Sequence, residues 1–199
     1  MNVLKLIKNL NKIISIAILI SAIYILLIPL LPAIIFGLNT NQYYGFEYKS
    51  EKTLEILGEK ANQLPEIPKD NYLVIPGIYI NAKINEGITE STLDLGMWHR
   101  PNTSSPNKGG NTVITSHRYL HTIGPNTFFN LDKVMMNNIV LVYWQGKEYV
   151  YRVYEITEVL PNQVEIEYST KDSILTLYTC SPLWTSEKRL VIKAKLEQS

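Results

Sequence analysis

The sequence predicts an all-β domain tethered behind an N-terminal transmembrane helix, and three observations carry that prediction. From Ile13 to Phe36 there is no charged residue, a run long enough to cross a bilayer core of ~30 Å as a helix. From Asn71 onward the apolar residues fall instead into short β-branched runs separated by turn signals. Thirteen tyrosines and many isoleucines and valines favour strands over helices in this second part. The chain of 199 residues suffices for one globular domain plus such an appendage.

The N-terminal segment predicts topology as well as anchoring. Lys5, Lys8 and Lys12 precede the apolar run, whereas the first lysine after it is Lys49. The positive-inside rule therefore places residues 1–12 in the cytoplasm, 13–36 across the membrane and the remainder outside the cell. A cleavable signal peptide has an apolar region of ~7–15 residues ending in a small-residue site. This run is longer and no such site follows, so the segment reads as an uncleaved anchor. Pro29 and Pro32 fall in its outer half. Residues 37–70 read as a stem. Ser50 to Asn62 is weakly amphipathic, and Pro65 and Pro68 break the chain before the domain of residues 71–199.

Within that domain, Tyr72 to Ile75 and Ile78 to Ile84 read as strands around a Pro76-Gly77 turn. Ser91 to Leu95 reads as one helical turn capped by Ser91, and Pro101 to Gly110 as a loop. Thr112 to Ser116 is a β-branched run ending on His117, and Phe128 to Val134 fits a short helix. Ile139 to Trp144 and Glu148 to Ile156, separated by Gln-Gly-Lys, form the strongest hairpin. Val150, Val153 and Tyr154 alternate poorly, which points to a bulge. Ser173 to Thr179 and Arg189 to Lys195 complete seven or eight strands, the number of a closed or nearly closed barrel with short helices between them.

A formal net charge of +1 gives no basic surface for nucleic acid. A single cysteine excludes an intrachain disulfide or a cysteine-rich zinc site. His99, His117 and His121 lack metal-ligand spacing, so neither a metal nor another cofactor is expected. The chemistry-bearing residues stand at strand ends. His117 closes TVITSH, Cys180 closes SILTLYTC and Arg189 opens RLVIKAK. Ends on one rim of a barrel bring distant side chains into one cleft. A thiol nucleophile, an imidazole proton shuttle and a guanidinium for the oxyanion make an acyl-transfer set. The alternative is a small buried Cys180 in a non-catalytic, membrane-tethered β-domain that binds a partner at the cell surface.

Three blocks resemble the sortases, membrane-anchored cysteine transpeptidases of Gram-positive-type envelopes. They are GGNTVITSHR (109–118), TLYTC (176–180), which fits the family's TLxTC pattern, and RLVIKAKL (189–196). VIPGIYINAKINEG and GMWHRPNTSSPNKGG resemble the family's first strands and the loop before its histidine, so the likeness spans about residues 72–196. It implies the sortase-like barrel, with Cys180 as nucleophile, His117 as general acid/base and Arg189 as the group steadying the tetrahedral intermediate. Thr179, beside the acyl carbonyl, and His121, in the departing segment YLHTIGPN, are implied supporting or substrate-binding residues. It further implies secreted proteins with a C-terminal LPxTG-like sorting motif as substrates, a thioester on Cys180, and an amine of a cell-wall precursor or a pilin lysine as acceptor. Class D or E members look most similar. Glu165 and Glu167 lie where some members use acidic residues for calcium, but the match does not extend to a calcium site here. L,D-transpeptidases cluster histidine and cysteine in adjacent positions, which the distance from His117 to Cys180 opposes.

Overall fold

A computed structural model describes residues 3–27, 34, 68–118, 127–183 and 185–198. The chain forms two compact units, Met1–Gly45 and Phe46–Ser199. In the first, helix α1 spans Val3–Leu27, so it starts ahead of the expected span. Its Lys8–Leu27 stretch, with mean hydropathy 2.2, is long and apolar enough to cross a membrane. The hydroxyls of Ser15 and Ser21 each donate to the backbone carbonyl four residues back at 2.9 Å, which satisfies them inside an apolar helix. The weakly amphipathic stretch of the stem, residues 50–62, lies outside the described residues.

The second unit is a closed barrel of eight strands, as expected from the spacing of the apolar runs. The strands are β1 (Tyr72–Ile75), β2 (Ile80–Glu86), β3 (Met97–His99), β4 (Asn111–Thr115), β5 (Ile139–Trp144), β6 (Lys147–Val159), β7 (Ile174–Ser181) and β8 (Lys188–Gln198). They are ordered β1-β2-β3-β4-β7-β8-β6-β5, with β5 pairing back onto β1. The β2–β3 and β4–β7 pairs are parallel and the others antiparallel. Period-2 alternation places one side of each strand in the core. On β2, for instance, Ile80, Ala82 and Ile84 are buried while Asn81 and Lys83 are exposed. Leu73, Ile114, Phe128, Leu175, Leu177 and Ile192 join them in the core.

Several local expectations are corrected. The second strand starts at Ile80, not Ile78, because Pro76–Ile78 forms a 3-10 turn that Tyr79 leaves with φ +60°. The turn expected from Ser91 is the 3-10 segment Glu90–Leu95, with Thr89 at its cap position. The helix expected over 128–134 shrinks to the 3-10 turn Leu131–Lys133. Strand β3, only three residues long, lies in a stretch that the sequence pattern did not mark. The strong hairpin is present, its two-residue turn being Gln145 (φ +52°) and Gly146 (φ +74°). Both central residues with positive φ is the turn whose twist suits paired strands. The bulge expected near Val150 and Val153 appears as two register shifts of β6 against β8.

Candidate active site

The geometry of the site follows from three adjacent strands. On β7, Leu175 and Leu177 enter the core, so Thr176, Tyr178 and Cys180 lie on the other face. Cys180 is the antiparallel register partner of Arg189 on β8. Directly opposed side chains in such a pair have Cβ atoms about 4.5–5.5 Å apart. On the other flank, the parallel ladder with β4 ends at Thr115 opposite Tyr178. Two further residues along each strand are His117 and Cys180.

Hydroxyl groups hold these strands together beyond the end of the ladder. Thr115 Oγ1 donates to the Tyr178 carbonyl at 2.9 Å, and Thr179 Oγ1 donates to the Ser116 carbonyl at 2.7 Å. Ser116 Oγ in turn donates to the Gly96 carbonyl at 3.1 Å. All three hydroxyl-bearing residues are buried. Their bonds therefore satisfy groups that would be costly to leave unpaired.

His117, Cys180 and Arg189 all line one cleft of about 350 Å³, together with Thr179. Cys180 is half-buried. Asp94, from the Glu90–Leu95 turn, lies 3.3 Å from His117 Nε2 through Oδ1. The Arg189 guanidinium donates through Nη1 to the carbonyls of Ser186 and Lys188, at 3.2 and 3.0 Å. Just beyond the thiol, Ser181 Oγ (2.6 Å) and Lys188 Nζ (3.1 Å) both donate to Glu158. Those two hydrogen bonds hold the Glu158 carboxyl below the usual carboxylate range. His121 lies outside the described residues.

The cleft has a second polar group that the sequence did not reveal. Arg100, after β3, donates through Nε to Glu167 Oε1 at 2.8 Å, and the Tyr178 hydroxyl donates to the same oxygen at 2.7 Å. The Arg100 guanidinium carbon sits 4.3 Å from the centre of the Trp98 ring. Burial opposes the Arg100 charge, but the Glu167 hydrogen bond and neighbouring negative charges outweigh it and raise its pKa. Burial, reinforced by Glu167, pushes the Tyr178 phenol well above its ordinary value. Glu167 thus serves an internal ion pair. His99 faces Ser104 and Glu86, away from any shared site with His117. Among the described residues no three His, Cys, Asp or Glu side chains come together to hold a metal.

Comparison with known proteins identifies the family and the fold. A family model described as the Sortase domain matches residues 73–197. Sortase A of Streptococcus agalactiae serotype III (strain NEM316) is 29% identical over 156 residues, covering 76% of this chain. The chain spans 62% of that relative's length. The structure of Streptococcus agalactiae sortase C1 in complex with MTSET is similar with a TM-score of 0.60 and 29% identity, covering 73% of this chain and 82% of that one. A Clostridium perfringens sortase D5 transpeptidase shares the fold, with a TM-score of 0.58 at 22% identity over 82% of this chain and 98% of its own.

Proposed function

The chain belongs to the sortase family, and from that premise we propose that it is a membrane-anchored cysteine transpeptidase acting on secreted proteins outside the cell. The substrate is a peptide segment with a C-terminal LPxTG-like sorting motif. Cys180 passes its proton to His117 and attacks the scissile carbonyl. The carbon–sulfur bond forms first, giving a tetrahedral oxyanion, which collapses to the thioester as the carbon–nitrogen bond breaks and His117 returns the proton to the leaving amine. An amine of a cell-wall precursor or a pilin lysine then attacks the thioester. His117 takes a proton from that amine, and the thiolate leaves and is reprotonated.

Arg189 steadies the oxyanion of both tetrahedral intermediates. Its Nη1 is engaged with backbone carbonyls, so this role falls to Nε and Nη2. Thr179 acts by holding the β7 backbone against Ser116. His121 contributes to binding the substrate. Helix α1 anchors the enzyme with its N-terminus in the cytoplasm, on the lysine distribution of the sequence.

The observation that carries the reading is that Cys180 and Arg189 are register partners whose cleft His117 also lines. A half-buried thiol in a cleft is also unlike the buried cysteine of a purely binding domain. The test is turnover of LPxTG-like peptides with an added amine by the wild type and by Arg189→Lys. Lysine lacks the planar fork of donors, so turnover is expected to fall about 100-fold with the melting temperature nearly unchanged. Equal turnover in the variant would remove Arg189 from the mechanism.

A further inference from the structure

Between β6 and β7, Leu160, Pro161, Gln163, Val164, Ile166 and Glu167 form one wall of the cleft. Apolar burial does little to hold that wall. No residue of its 3-10 turn, Val164–Glu167, is buried, and Leu160, Val164 and Tyr168 are each more than half exposed. Its fixation is polar. Asn111, itself buried, donates through Nδ2 to the carbonyls of Ile166 and Tyr168 at 2.9 and 3.0 Å. Asn111 is oriented for this by accepting from Thr176 Oγ1 at 2.7 Å. Glu167 provides a further attachment, one carboxylate oxygen gripping both Arg100 and Tyr178.

We propose that Glu167 is a positioning residue for peptide binding: by gripping Arg100 and Tyr178 it fixes Val164 and Ile166 where an extended peptide lies beside Cys180. The proposal rests on the peptide-cleft reading above. Tyr178 precedes Cys180 by two residues on the same face of β7, a separation of about 6.6 Å along a strand. The carboxylate therefore ties the wall to the strand and the face that carry the thiol. Arg100 is a firm anchor for it, since the Trp98 ring supports the guanidinium plane. Exposed apolar side chains on a polar hinge lose their position, not the fold, once the hinge is cut. The Cys180 row has its own attachments through Thr115, Thr179 and Arg189 and keeps its geometry.

Three measurements on the full chain in detergent micelles test this. The first is KM and kcat for an LPxTG-like peptide. The second is alkylation of Cys180 by a small charged thiol reagent, and the third is amide hydrogen exchange across residues 160–168. Glu167→Ala is expected to raise KM about tenfold with kcat changed less than about threefold, the pattern of lost ground-state binding. Alkylation stays at the wild-type rate and exchange in 160–168 speeds up while the barrel strands do not change. Glu167→Gln, which keeps an acceptor oxygen, restores most of the wild-type KM. A fall in kcat at constant KM, or unaltered exchange in 160–168, overturns the proposal. If the wild type processes no peptide, the transpeptidase reading fails by itself, and the exchange measurement alone decides whether Glu167 holds the wall. If Glu167→Ala does not fold, Tyr178→Phe decides. It is expected to raise KM about threefold with faster exchange in 160–168, and no change in either overturns the proposal.

Discussion

In the β5–β6 hairpin two residues, Gln145 and Gly146, set the register, and the strands then pair over six consecutive positions. In the β4–β7 pair, 63 residues separate Thr115 from Tyr178, and no tight turn can align the strands. There the alignment is enforced by buried polar side chains. Asn111 accepts from Thr176, Thr115 donates to Tyr178, and Thr179 donates to Ser116. On the hairpin side, Leu141, Tyr143 and Val150 form a buried cluster with Val74 of β1. Both regions bury apolar side chains, but the first is aligned by local turn geometry and the second by hydrogen bonds of defined direction. A change to the first should therefore cost stability, and a change to the second should cost alignment of the site.

Leu141→Ala is the severest test of that division. Leu141 is fully buried, so truncation is expected to cost about 2–5 kcal/mol in urea unfolding. Turnover per folded molecule should stay within about twofold, and a large loss there would break the contrast. Thr179→Val comes next. It keeps the side-chain shape but removes the hydrogen bond to the Ser116 carbonyl, at a cost of about 0.5–1.5 kcal/mol. Because reactive geometry tolerates little displacement, kcat should fall about 10–100-fold. Unaltered kcat would mean that this bond does not align the site.

Smaller effects sharpen the same comparison. Asp94 meets His117 at 3.3 Å but is largely exposed, and such pairs contribute about 0.2–1 kcal/mol. Asp94→Asn should accordingly lower kcat by no more than about fivefold, with KM constant in steady-state assays. The smallest effect concerns Glu158, which joins Ser181 and Lys188 just beyond the Cys180–Arg189 pair. Its carboxyl is depressed in the folded state, so its contribution is present above the ordinary carboxylate range and fades as pH falls through the folded value. Melting temperatures between pH 3 and 6 should decline less steeply for Glu158→Gln than for the wild type. Parallel slopes would remove Glu158 from the acid response.

Much of the barrel was legible because β-branched runs and turn residues carry local information. The Thr112–Ser116 run and the hairpin around Gly146 both lie where the pattern puts them. Strand β3 escaped because three residues, Met97–His99, are too few for periodicity to register. Cys180, His117 and Arg189 are legible as candidates since each sits at the end of an apolar run. The Arg100–Glu167 pair could not, because it joins residues 67 apart through loops whose approach only the tertiary fold determines. Glu167 stands out in the sequence only as an acidic residue, and nothing there marks Arg100 as its partner. Asp94 gave no signal at all beyond its charge.

The most direct test of the acyl-transfer account is intact-mass analysis of the full chain in detergent micelles after brief incubation with LPxTG-like peptides. The account predicts a mass increase equal to the peptide's N-terminal fragment, mapped to Cys180, released by an added amine and absent in Cys180→Ala. No adduct on Cys180 under conditions where the peptide is cleaved, or cleavage that persists in Cys180→Ala, would contradict it.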